Sequence, residues 1–94
     1  MSKYNDTHNE SITKNNKLIS NILKTYDDYT LAIAYENIFK FKKEGSLALP
    51  CVLSLIHDDI CQKMGWNSEH YTRVEAAILL EIATRFHDRV LRER

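Results

Sequence analysis

The sequence has only two glycines, one proline and one tryptophan in 94 residues, so few positions force a helix to stop or a tight turn to form. That scarcity excludes collagen-like and low-complexity chains and biases the fold towards α. Its two cysteines, Cys51 and Cys61, lie ten residues apart, about 15 Å along one helix, which is too far for a disulfide. Reduced thiols in a cytoplasmic protein are the expectation. Long apolar runs are also missing: the longest uncharged stretch, Gly45 to His57, falls short of the ~20 residues a membrane span needs. The opening MSKYNDTHNE contains no apolar stretch of the secretory kind. Net charge is absent as well. Thirteen basic residues balance thirteen acidic ones, leaving no global field to hold a polyanion or a membrane surface.

What is present is helical periodicity. Ile19, Ile22, Tyr26, Tyr29 and Ile33 recur at intervals of 3, 4, 3 and 4, which places them on one helical face. Residues 1–10 are polar and read as a flexible N-terminus; residues 11–94 read as a single helical domain. Asn9 or Ser11 is a candidate N-cap, and Lys42, Lys43 and Gly45 form a stop signal of cations followed by a residue free to take positive φ. Over this span the chain reads as one long amphipathic helix, about 50 Å if unbroken. Asp27 and Asp28 mark the one place where a new helix could be capped. A shorter helix follows from Pro50 to Gly65, with Leu49, Leu53, Ile56 and Ile60 inward and His57, Asp58, Gln62 and Lys63 outward. A third, capped by Asn67 or Ser68, runs from about Glu69 to Leu91 and has apolar residues on more than one stripe, so it should be the most enclosed. The predicted fold is all-α: a long first helix followed by two shorter ones.

These lengths have a consequence. A second helix of about fifteen residues spans ~22 Å, too short to cover a 50 Å face together with the third. A homodimer closing over Ile19, Ile22, Tyr26, Tyr29, Ile33 and Phe41 is the economical solution, intertwined or side by side, and a partner protein is the other. On that reading Ile22→Asp and Tyr29→Asp should each bury an unpaired carboxylate at a cost of several kcal/mol.

Catalytic chemistry has little to stand on. The adjacent carboxylates Asp58 and Asp59 point about 100° apart on a helix and do not converge as an acid/base pair. No phosphate loop, nucleophile elbow or zincin spacing occurs. His57 and Cys61 could present two ligands, but no second closely spaced pair accompanies them, so no metal site and no cofactor are predicted. Ile60 to Val74 matches the spacing of a helix-turn-helix, with Gly65 at the turn, and offers Asn67, Ser68, His70, Thr72 and Arg73 to DNA. Only Arg73 among these is a fixed cation, so nucleic acid is not the favoured partner. A toxin-binding immunity protein is a further alternative.

Leu49-Pro50, Leu53, Asp58 or Asp59, Gln62 and Gly65, with the apolar pattern of Tyr71 to Asp88, resemble the Gam-type host-nuclease inhibitors of lambdoid phages. The small size is similar to that of the anti-RecBCD proteins some of these phages carry. The resemblance implies a non-catalytic phage protein of the host cell cytoplasm that binds and inhibits or modulates the host RecBCD exonuclease, protecting phage DNA ends and favouring phage recombination. It further implies that the first helix is the inserting element, with Asp27, Asp28 and Glu36 as candidate phosphate mimics. Seven of the eight lysines lie in the same half of the chain, which favours docking through the aromatic stripe over imitation of DNA.

Overall fold

Residues 14–93 are described by a computed structural model, as four helices with no strand among the described residues. Helix α1 is described over residues 14–23; α2 is Asp28–Glu44, α3 Val52–Met64 and α4 Tyr71–Arg92. The N-terminal residues 1–10 and the candidate caps Asn9 and Ser11 lie outside the described residues.

The long first helix is therefore two helices, and the break has local causes. Thr25 and Tyr26 donate their backbone N–H groups to Ile22 and Leu23, three residues back, tightening the last turn of α1. The Thr25 hydroxyl also donates to the Ile22 carbonyl at 2.6 Å. Asp27 then takes an extended conformation and accepts the Thr30 N–H at 2.8 Å as the N-cap of α2, with Asp28 in the first turn where the helix dipole favours a negative charge. The broken end of α1 is held from across the molecule. Arg85 on α4 donates to the carbonyls of Leu23 (3.2 Å) and Tyr26 (2.7 Å), to Glu81 on its own helix (2.8 Å) and to Asp28 on α2 (2.8 Å).

The bend brings α1 and α2 into one core, through a stripe that keeps only Ile19 of the predicted spine. Ile19 and Leu23 of α1 are buried with Leu31, Ala34 and Ile38 of α2, Leu53, Ile56 and Ile60 of α3, and Val74 and Ile78 of α4. Gly45 and Gly65 end α2 and α3 with φ of 77° and 71°, conformations that cost glycine least. Helix α3 begins later than its proline suggested, at Val52 with Cys51 as N-cap. Its first amides are satisfied partly from outside: Asn37 of α2 accepts the Leu53 N–H at 3.1 Å, and Ser54 accepts the Cys51 N–H at 2.9 Å.

Several sequence expectations change with this geometry. The 50 Å apolar face does not exist, and with it goes the length argument for a second copy. Of the six interface residues, Ile19 is core, Ile22, Tyr26, Ile33 and Phe41 are half-buried, and Tyr29 is 75% exposed. His57 is buried rather than outward, whereas Leu49 is exposed rather than inward. The predicted third helix, α4, is the longest among the described residues rather than one of two short ones, and it is not the most enclosed: Leu79, Leu80, Phe86, Val90 and Leu91 are all exposed. Its N-cap is His70, not Asn67 or Ser68, and makes no side-chain capping bond.

Ile22→Asp should still destabilise, by about 2 kcal/mol, because Ile22 packs against the core. Tyr29→Asp should stay within about 0.5 kcal/mol of the parent. Urea unfolding of both variants checks the contrast, and equal losses would contradict the bend. Arg85→Ala should cost about 2 to 3 kcal/mol in the same assay, because it takes the Arg85 donor from the buried Glu81 carboxylate and from the Tyr26 carbonyl.

Candidate interaction surface

Three ion pairs set the register of α2 against α4. Lys42 near the C-terminus of α2 meets Glu75 near the N-terminus of α4 at 3.2 Å, while Asp28 at the start of α2 meets Arg85 and Arg89 far along α4 at 2.8 and 3.0 Å. The helices are thus antiparallel. Ala32 and Tyr35 share a groove with Ile82 and Phe86, and the same register brings Phe39 level with Leu79. The groove has a volume of about 340 Å³ and is closed at one end by Asp28, Arg85 and Arg89. Tyr35, Phe39, Leu79, Phe86 and Val90 remain between 39% and 66% exposed along this strip. Single exposed apolar side chains are ordinary; a contiguous run of aromatic and aliphatic ones along two adjacent helices is the kind of patch that marks a contact surface. Tyrosine and phenylalanine suit such a contact because they present large apolar area with few rotatable bonds.

Two of the three acidic residues nominated beside this surface are engaged within the domain. Asp27 caps α2, and Asp28 accepts from Arg85 and Arg89. Glu36 is exposed on α2. The residues nominated for DNA do not assemble into a reading head. Asn67 and Ser68 lie in the connection between α3 and α4, which at residues 65–70 is longer than the 3–4-residue turn of a helix-turn-helix. Ser68 is bonded to the His70 ring at 3.3 Å, Arg73 lies over the Trp66 ring at 5.2 Å, and Thr72 is exposed.

A cluster with catalytic residue types lies at the α3–α4 corner. Cys61 Sγ is 3.4 Å from His57 Nε2, and His57 Nδ1 is 3.3 Å from Asp58 Oδ1, in the order nucleophile, base, orienting carboxylate. Two features work against nucleophilic use. His57 Nε2 already accepts the backbone N–H of His70 at 3.0 Å, which occupies the lone pair a general base needs. Burial, with the Asp58 charge as a second cause, pushes the Cys61 thiol up rather than towards thiolate. The imidazole also stacks on Tyr71, centroids 3.8 Å apart. The cluster ties the corner together. Among the described residues no three His, Cys, Asp or Glu side chains converge as a metal site; His70 contributes its amide to His57, and its ring faces Ser68 and Trp66.

Leu79, Phe86 and Val90 have the spacing of buried positions on a helix expected to be enclosed, so their apolar stripe does not announce their exposure. The i,i+4 pair Glu81 and Arg85 was the available signal for the central clamp, and it does not reveal that Arg85 also reaches α1 and α2.

The titrating groups give the domain a defined pH range. Asp27 is held below its ordinary value by Thr30, Asp28 by Arg85, and Asp59 by the Tyr26 hydroxyl and then Lys63. Lowered carboxylates stabilise above their unfolded pKa, and that stability is lost as pH falls through the folded values. Tyr26 is pushed well up by burial and by Asp59. A raised phenol stabilises below its unfolded pKa and loses this contribution as pH rises through the folded value. Melting temperature should therefore be flat from about pH 5 to 9 and fall on both sides. Asp59→Asn should weaken the acid dependence and Tyr26→Phe the alkaline one; unchanged profiles would contradict the Tyr26–Asp59 pair.

No protein-family model, curated protein or solved structure matches this chain.

Proposed function

We propose that this chain is a non-catalytic, protein-binding helical domain that acts by docking a larger partner on the α2–α4 strip. The carrying observation is the contiguous exposure of Tyr35, Phe39, Leu79, Phe86 and Val90 along two antiparallel helices whose relative position is fixed by ion pairs at both ends. A pre-ordered surface of this kind binds without a further ordering cost. The occupied Nε2 of His57 and the raised Cys61 thiol support a non-catalytic role. Internal engagement of Asp27 and Asp28 supports docking through apolar side chains over imitation of a phosphate backbone.

The resemblance of Leu49-Pro50, Leu53, Gln62 and Gly65 to Gam-type inhibitors makes the host RecBCD nuclease the partner to assay first. Immobilised protein should retain purified RecBCD and reduce its exonuclease activity on linear duplex DNA. The double variant Phe39→Ser, Phe86→Ser should weaken retention by roughly tenfold or more, since exposed aromatic anchors carry a disproportionate share of binding energy. Its melting temperature should not fall, because both side chains are exposed. Absence of both retention and inhibition would remove RecBCD as the partner, and retention unaffected by the double variant would move the contact elsewhere.

A further inference from the structure

We infer that the bend between α1 and α2 is a hinge through which two copies of this chain exchange α1, each copy then carrying one straight helix from residue 14 to residue 44, about 46 Å long. The exchange does not rest on the docking reading above. In an exchanged dimer Ile19 and Leu23 of one copy fill the places of Ile19 and Leu23 in the other, so the core contacts are the same in both forms. What differs is confined to residues 24–27 and to the groups that touch them.

Those groups have partners in either form. In the bent chain the Leu23 and Tyr26 carbonyls accept from Arg85, and Asp27 caps the Thr30 N–H. In a straight helix the Leu23 carbonyl accepts the Asp27 N–H and the Tyr26 carbonyl the Thr30 N–H, four residues on, while Arg85 keeps Glu81. Straightening gives up the cap, the contacts of Arg85 and Arg89 with the exposed Asp28, and the bond from the Tyr26 hydroxyl to Asp59. It gains an interface. The apolar repeat Ile22, Tyr26, Tyr29 and Ile33 runs through the bend without a gap, yet the bent chain leaves Tyr29 75% exposed. Only in a straight helix do these four share one face, and two straight helices related by a two-fold axis cross at the hinge with that face between them. A second copy is thus the occupant that accounts for a helical repeat spanning a break between helices. The dimer presents the α2–α4 strip twice, so on the docking reading it engages two sites at once.

The test refolds the full chain from urea at a series of protein concentrations and reads its mass by sedimentation. A doubled mass at high concentration is expected. Asp27→Ala removes a cap that only the bent form uses, and because each dimer contains two hinges it should tighten the dimer roughly tenfold or more. Asp28→Pro should weaken it at least as much. Proline suits the first turn of α2, and the extended Asp27 (φ −79°, ψ 169°) has the conformation that precedes a proline, whereas inside a straight helix the ring clashes with the Lys24 carbonyl. Tyr29→Asp should abolish the dimer and leave the melting temperature of the dilute monomer unchanged. Exchange is told from side-by-side pairing by Ser20→Cys, Ala76→Cys in a chain that also carries Cys51→Ser and Cys61→Ser. Ser20 and Ala76 line one cavity between α1 and α4, so a short bismaleimide should link these positions within one chain in the monomer and between chains in the dimer, read on a denaturing gel. A chain that stays monomeric at every concentration, Asp27→Ala included, overturns the inference. So does a dimer that ignores Asp28→Pro, or one whose cross-links all lie within a chain.

Discussion

The fold turns on one guanidinium. A helix that stops exposes carbonyls with no intrahelical donor, and α1 stops between Leu23 and Asp27, in the middle of what would be a continuous amphipathic run. Arg85 supplies donors to the Leu23 and Tyr26 carbonyls and simultaneously to Glu81 and Asp28. One planar, five-donor group therefore joins the end of α1, the start of α2 and the middle of α4. The hydrogen bond from Arg85 also lets Glu81 sit buried, and that bond is the largest cause of the raised Arg85 pKa. Among the described residues every buried side-chain nitrogen and oxygen has a partner, which is the condition for placing charge beside an apolar core at tolerable cost.

The surface follows from that bend. With α1 turned back, Ile19 comes against the Ala76 and Ala77 side of α4 and Leu23 joins the common core. Helix α3 packs on α2 through Leu53, Ile56 and Ile60, its first amides met by Asn37. Among the described residues nothing covers the flank shared by α2 and α4, and its exposed aromatic and aliphatic side chains are therefore a property of the assembled helices. They are presented by helices pinned in register by Lys42–Glu75 and by Asp28 with the two arginines, which is the rigidity a docking surface requires.

The α3–α4 corner shows how local chemistry is redirected by packing. His57, Cys61 and Asp58 have the residue types of a nucleophilic site, yet the His70 amide takes the Nε2 lone pair and Tyr71 stacks on the ring. Arg73, the fixed cation of the DNA reading, is laid over Trp66. Polar groups that look functional in isolation serve here to satisfy a helix start and close a six-residue connection.

The residue pattern alone determined the all-helical class, the stops at Gly45 and Gly65, and the Leu53, Ile56 and Ile60 stripe of α3, because these depend on spacing and on backbone freedom within a few neighbours. It also contained the capping signal at Asp27, but a continuous helix satisfied the same apolar periodicity, so local pattern could not choose between them. The choice was made by Arg85, which lies 62 residues from Leu23 along the chain and rewards the bend only once α4 is in place. The same holds for the strip: Leu79, Phe86 and Val90 have the periodicity of core positions. Whether such a stripe is buried depends on how many helices are present to cover it, and only the tertiary arrangement decides that.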